Sequence, residues 1–293
     1  MPKMISIATP TFGKPKYLRE CVTSVHQQSI KTQHIICGGN FSSEELESNR
    51  VQVILRNPDP GMVTCWNTAA DCINTEYIGF LADDNTLTPN YSETLISFLE
   101  NNPECDLVFC NQYHMDENGL IDKDKSFAFT KHFGRDKLSS GIIQNHEYNF
   151  LLENNSIPLE ACIIRKKIWK SFGPFNINAK GAFDQEFIYR LILGKVKIGF
   201  LPEYLMNFRW HNDAYCSVNK LDHSIGSSWV NQSLMHESIE HYSFFRNRSF
   251  DDKLRILKMD PSIKNKTSLA LSLLKENGSI KYLASRFINF AVK

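Results

Sequence analysis

Apolar runs and helical spacings alternate along the first 110 residues. "MISIATPTF" is a short β-rich run, and "KPKYLRECVTSVHQQS" after it places Leu18, Val22 and Val25 at helical spacing, giving strand, loop and helix in that order. "HIICGG" predicts a second buried strand closed by two glycines, and "VQVILRN" a third. Pro58, Pro60 and Gly61 mark a loop before a helix from Met62 to Ile73. "YIGFLA" predicts the fourth strand, and a further helix starts near Asn90. The alternation predicts an α/β fold, a mostly parallel, Rossmann-like sheet wound with helices, in which ligands bind beyond the carboxyl ends of the strands. Pro10 to Gly13, Cys37 to Asn40 and Asp83 to Asn85 would then share one rim.

The other end of the chain has a different pattern. "SIKYLASRFINFAVK" places Ile280, Leu283, Ala284, Phe287, Ile288 and Ala291 on one stripe of a helix, with Lys281, Arg286 and Lys293 off it. Charge follows the same division. From Phe245 onward there are 11 Lys and Arg against 4 Asp and Glu, a net +7, which leaves the preceding residues at −6. Two readings of the tail are open: the stripe packs on the rest of the protein, or the basic segment rests on an anionic membrane face.

A chain of 293 residues with 42% hydrophobic content can bury a full core. The eight cysteines contain no C-x-x-C pair and mostly sit in apolar runs, so buried free thiols are expected rather than disulfides or a metal cluster. "MPKMISIATP" carries no signal-peptide pattern, and no apolar stretch reaches the roughly 18 residues of a membrane span, so a cytoplasmic location is expected. "HESIEH" spaces His236 and His241 five apart, which does not suit shared zinc ligation on a helix. "FGKPKY" lacks the leading glycine and the Ser or Thr of a phosphate loop, and no nucleic-acid motif is present.

"YIGFLADDNTLTPN" runs from a buried-looking strand into two adjacent carboxylates. Asp83 and Asp84 repel each other unless a cation or a proton offsets them. A hard divalent ion takes few protein carboxylates and completes its shell with water and phosphates, so one or two Asp suffice. The alternative is a polar turn or helix cap. Farther on, "FDQEF" offers Asp184 and Glu186, which point about 200° apart on a helix, so only one faces a given site. A carboxylate there could act as a general base, or both could decorate a helix start.

Three ordered blocks resemble family 2 glycosyltransferases, the inverting enzymes of GT-A fold, over residues 4 to 215. They are "ISIATPTFGKPKYLRECVTSVHQQS", "DPGMVTCWNTAADCINTEYIGFLADDNTLTPN" and "GAFDQEFIYRLILGKVKIGFLPEYLMNFRWH". The resemblance implies a catalytic domain over residues 1–215 and a basic, mainly helical extension over 216–293. It also implies transfer of a sugar, with inversion, from a nucleoside-diphosphate sugar to a hydroxyl of a glycan or lipid-linked glycan, in bacterial surface polysaccharide synthesis. In that scheme Asp84 and His211 hold Mn²⁺ or Mg²⁺, with Arg209 beside them, and Asp184 is the general base with Glu186 as the fallback. Asp83 lies near the ribose, Phe12 stacks on the base, and Pro10, Thr11, Cys37 and Asp59 complete the nucleotide-sugar site. The chain departs from the family's pattern at Ala82, where the acidic motif usually begins, and at Cys37, where an Asp usually receives the uracil ring. Those departures keep a catalytically weak sugar- or nucleotide-binding relative as an alternative. A sugar nucleotidyltransferase is a further one, although "TPTFGKPKY" is a poor phosphate loop for it. Acceptor recognition is expected from a loop between Phe127 and Pro158.

Overall fold

The computed structural model describes residues 4–11, 15–39, 46 and 50–260. Phe12 and the apolar stripe from Ile280 to Ala291 lie outside the described residues. The chain divides into two compact units, Met1–Phe175 with Phe187–His211, and Asn176–Glu186 with Asn212–Lys293.

The first unit opens with β1 (Ile5–Thr11), α1 (Pro15–His26), β2 (Thr32–Gly38), β3 (Val51–Leu55), α2 (Met62–Asp71) and β4 (Tyr77–Phe80). It continues with β5 (Thr86–Leu87), α3 (Tyr91–Asn101), β6 (Leu107–Met115), β7 (Ile121–Asp122) and α4 (Lys123–His132). Next come β8 (Gly141–Ile142), α5 (Tyr148–Asn154), β9 (Cys162–Arg165), α6 (Lys166–Phe172), α7 (Phe183–Leu193) and β10 (Ile198–Arg209). The first four residues of α7 belong to the second unit.

The sheet runs β3-β2-β1-β4-β9-β6-β10-β5. Strands β1 to β4 are mutually parallel, and β9 is antiparallel to both β4 and β6. Since β10 is parallel to β6, the carboxyl ends of β1, β2, β4 and β10 share one edge. From β1 the chain winds outward to β2 and β3, then returns to β4 on the other side of β1. The gap between β1 and β4 is therefore the topological switch point, where crossover connections diverge and leave a crevice.

All seven residues of β1 are buried, because helices cover the sheet on both faces at this strand. One layer of the core is aromatic: Trp66 of α2, Phe80 of β4, Trp169 of α6, Phe175 and Phe187 pack in tilted and edge-to-face pairs with ring centroids 4.9 to 6.4 Å apart. Gln28, in the turn after α1, is buried and ties two loops. Its amide donates to the Thr88 carbonyl at 2.8 Å, and its oxygen accepts the Ser92 backbone N–H at 2.9 Å. All eight cysteines are free, and six of them are buried.

Residues 127–158, expected as a loop, are mostly folded. Asp122 caps α4 by accepting the Lys125 N–H at 2.9 Å. Buried Arg135 lies 5.7 Å from the Phe129 ring and 5.4 Å from the Phe133 ring, and donates to Gln112 Oε1 at 3.3 Å. A guanidinium that stacks on two rings organises this segment without a long apolar run, so hydropathy alone reads it as a loop.

The second unit contains a 3₁₀ segment, Ile177–Ala182, then α8 (Tyr215–Val218), α9 (Lys220–Glu237) and α10 (Tyr242–Met259). Helices α9 and α10 pack through buried Val230, Leu234, Phe245, Phe250, Leu254 and Leu257. Buried Asp252 accepts from Ser227 Oγ at 2.7 Å and Asn231 Nδ2 at 2.9 Å, and pairs with Arg255 at 3.0 Å. Burial raises the Asp252 pKa, and these partners oppose the rise.

Candidate active site

The switch-point edge collects most of the residues singled out in the sequence. At the end of β1, Thr11 Oγ1 donates to Asp83 Oδ2 at 2.6 Å, closing the crevice between β1 and the turn after β4. In that turn Asp84 Oδ2 lies 3.0 Å from His211 Nε2, just beyond β10. A carboxylate oxygen and an imidazole nitrogen side by side suit one divalent cation, with water and a diphosphate filling the remaining positions. Among the described residues no group of three His, Cys, Asp or Glu converges, and Asp84 and His211 are the two placed to hold such an ion.

The turn is built by partners far away in sequence. Glu160 Oε2 accepts the Ala82 N–H at 2.7 Å and the Asn85 amide at 2.8 Å. Asn85 Oδ1 in turn accepts the Arg209 N–H at 2.7 Å. Arg209, 1% exposed, donates from Nε to the Asp84 carbonyl at 2.8 Å and from its outer nitrogen to Glu20 Oε2. Its guanidinium stacks on Tyr17 at 4.3 Å, and the Tyr17 ring also packs on His211 at 5.0 Å. Arg209 thus fixes both the acidic turn and the imidazole. Ala82, which lacks the carboxylate common at that place, contributes its backbone N–H instead. Nothing in the sequence marks Glu160 or Glu20 for this work. Glu160→Ala is expected to cost about 1–3 kcal/mol, read by urea unfolding, because the Ala82 N–H and the Asn85 amide lose their acceptor.

Beside this crevice the loops after β2 and β3 meet. Pro10 and Cys37 are register partners on β1 and β2, and both are buried. The Cys65 thiol of α2 hydrogen-bonds Cys37 and, with the nearby Arg56 charge, draws the Cys37 pKa down to about 7 against the effect of burial. Cys65 is pushed up by the same pairing. Asp59 Oδ1 accepts the Gly61 N–H at 2.8 Å. A Cβ on Gly39 would lie 2.6 Å from the Arg56 carbonyl and 3.1 Å from Asp59 Cβ, so these two loops approach as closely as glycine permits. The Asp59 carboxylate therefore stands beside the end of β2, where the sequence itself provides a thiol and glycines.

Asp184 belongs to the second unit, in the first turn of α7. It is half-buried, and Oδ1 accepts the Gln185 N–H at 2.7 Å. Burial raises its pKa, and the His223 charge opposes the rise. A carboxylate whose proton affinity burial raises is, when ionised, a stronger proton acceptor than an exposed one. Glu186 is buried at 5% exposure, leaving Asp184 the more accessible of the two.

Comparison with known proteins bears on what this arrangement belongs to. An uncharacterized glycosyltransferase of Methanocaldococcus jannaschii is 24% identical over 83% of this chain and 85% of its own length. One from Haemophilus influenzae is 21% identical over 95% and 92%. The chondroitin synthase of Escherichia coli is 23% identical over 82% of this chain but only 34% of its own length. Among solved structures, S. aureus TarS 1–349 in complex with UDP superposes with a TM-score of 0.60 at 14% identity, covering 92% of this chain and 75% of that one. The mannosyltransferase PcManGT of Pyrobaculum calidifontis, in complex with GDP-Man and Mn²⁺, gives 0.58 at 12%, covering 99% and 80%. The fold is the GT-A fold of these glycosyltransferases. The model of glycosyl transferase family 2 matches residues 6–167, more than half of the chain, and the protein belongs to that family.

Proposed function

We propose that the protein transfers a sugar from a nucleoside-diphosphate sugar to a hydroxyl of a glycan or lipid-linked glycan, with inversion at the anomeric carbon. The observation that carries this reading is the Asp84–His211 pair, 3.0 Å apart beside the crevice between β1 and β4. A hard divalent cation, Mn²⁺ or Mg²⁺, bound there would neutralise the departing diphosphate. Pro10, Thr11, Phe12, Cys37, Asp59 and Asp83 form the nucleotide-sugar site, with the Asp59 carboxylate in reach of the base pocket that Cys37 closes. Asp184 takes the proton from the acceptor hydroxyl as its oxygen attacks the anomeric carbon and the bond to the diphosphate breaks. No covalent intermediate with the protein is required, because one displacement inverts the centre.

A polymer or cell-surface glycan as product is supported by the likeness to a chondroitin synthase, and the nucleotide-sugar donor by neighbours solved with UDP, UDP-GlcNAc and GDP-Man. No helix among the described residues is long and apolar enough to cross a membrane. For the basic tail two readings stand, packing of its apolar stripe on the rest of the protein or peripheral contact with an anionic membrane face that would bring the site to a lipid-linked acceptor.

The test is calorimetric titration of UDP and GDP with and without Mn²⁺. Mn²⁺ is expected to strengthen binding to the native protein, and Asp84→Ala, at a partly exposed rim position, is expected to abolish that gain while the unfolding midpoint stays in place. An unchanged Mn²⁺ effect in the variant would remove Asp84 from the metal site.

A further inference from the structure

The segment that leads into Asp184 is held in an unusual conformation. Inside Ile177–Ala182 the backbone leaves the helical region at Lys180, with φ 48° and ψ −126°. A side-chain-bearing residue reaches such angles only where its surroundings over-determine them. Asp222, in the first turn of α9, supplies them. Its Oδ1 accepts from Lys180 Nζ at 2.9 Å, and its Oδ2 accepts from Tyr215 OH at 2.6 Å.

The fit leaves no slack on the other side. A Cβ on Gly181 would lie 3.0 Å from the Tyr215 ring and 3.2 Å from His223 Cα, and one on Gly226 only 2.0 Å from the Ala179 carbonyl. Helix α9 therefore presses on residues 179–181 from one face while Asp222 anchors them from its N-terminal turn. Three residues beyond the turn stands Asp184, and His223, next to Asp222, opposes the burial-driven rise of the Asp184 pKa.

We propose that Asp222 is a positioning residue for the reaction: by tying the positive-φ turn at Lys180 to Tyr215 and the start of α9, it sets where α7 starts and where the Asp184 carboxylate points. The inference rests on the reading of Asp184 as the general base. An ion pair as exposed as Lys180–Asp222 contributes little to stability by itself, so its use lies in geometry rather than in holding the protein folded.

The experiment uses the full chain with Mn²⁺ and either UDP-GlcNAc or GDP-mannose, following nucleoside-diphosphate release with water in place of the acceptor. Amide exchange of residues 179–186 is followed in parallel. Asp222→Ala is expected to lower kcat by roughly 10²-fold with KM for the donor unchanged, as misplacement of a reacting group does. Exchange across residues 181–184 should accelerate in the same variant. Lys180→Gly alone should lower kcat less than Asp222→Ala does, since glycine loses the Nζ contact but adopts φ > 0 without strain. The double variant Lys180→Gly with Asp222→Ala should recover most of the lost kcat, an outcome that a merely stabilising role for Asp222 does not produce. Native turnover in Asp222→Ala alongside an inactive Asp184→Asn overturns the clamp and leaves the base reading standing. An active Asp184→Asn overturns the base reading, and the clamp with it as a catalytic device. If neither donor is turned over by the native protein, the exchange decides, and unaltered exchange at residues 181–184 in Asp222→Ala rejects the proposal.

Discussion

Asp184→Asn is expected to lower turnover by roughly 10²- to 10⁴-fold, the usual contribution of a positioned general base, while nucleoside-diphosphate affinity stays unchanged. The amide keeps the shape and can still accept the Gln185 N–H on its oxygen, but it takes no proton. The same substitution carries a stability signature of opposite sign. Burial raises the folded-state pKa of Asp184 above its ordinary value, so the folded protein holds this proton more tightly than the unfolded chain. The stability linked to that proton is fully present below the unfolded pKa and is lost as pH rises through the shifted one. Above the shifted value the native protein therefore bears the cost of an ionised, desolvated carboxylate, and Asp184→Asn should raise the thermal midpoint there. Toward pH 4 the difference should close. An asparagine variant that is both inactive and more stable would mark Asp184 as a site where function is kept at the expense of stability. One that is inactive and less stable would point to a structural role instead.

What the sequence discloses and what it hides divide along physical lines. The order from β1 to β4 is legible because each strand is a buried apolar run bounded by turn residues, and parallel winding then dictates that Thr11, Cys37 and Asp83 reach one edge. The partners of that edge are not legible. Glu160 reaches Ala82 across 78 residues and Arg209 reaches Glu20 across 189, and no local period encodes a hydrogen bond between such positions. The segment containing α4 and α5 reads as a loop because its order depends on Arg135 stacking on aromatic rings and on Tyr148 donating to the Val196 carbonyl at 2.8 Å. Nor does any motif announce that residues 176–186 belong with the C-terminal helices, since that grouping depends on Asp222 and on the glycines that let α9 approach.

Arg209→Met is expected to destabilise the protein by on the order of 3 kcal/mol in urea unfolding, because hydrogen bonds to a charged group contribute about 1.5–3 kcal/mol each. The side chain of Arg209 is fully buried, whereas that of Glu20, its ionic partner, is 54% exposed. The pair is therefore asymmetric: without Arg209, Glu20 rehydrates at little cost, but the Asp84 carbonyl loses its donor and the Tyr17 face loses its cation. Glu20→Gln should consequently cost under about 1 kcal/mol, as exposed partners of ion pairs do. Arg209→Lys should behave like the methionine variant, since an ammonium cannot stack on Tyr17 and donate to the Asp84 carbonyl and Glu20 in one plane. Because the guanidinium also fixes the turn that presents Asp84, and Tyr17 bridges it to His211, the Mn²⁺-dependent part of UDP or GDP binding should fall in Arg209→Met even under conditions where the protein is fully folded. A large loss of stability with an intact Mn²⁺ effect would separate the two roles, leaving Arg209 as a core ion and the Asp84–His211 pair as self-sufficient.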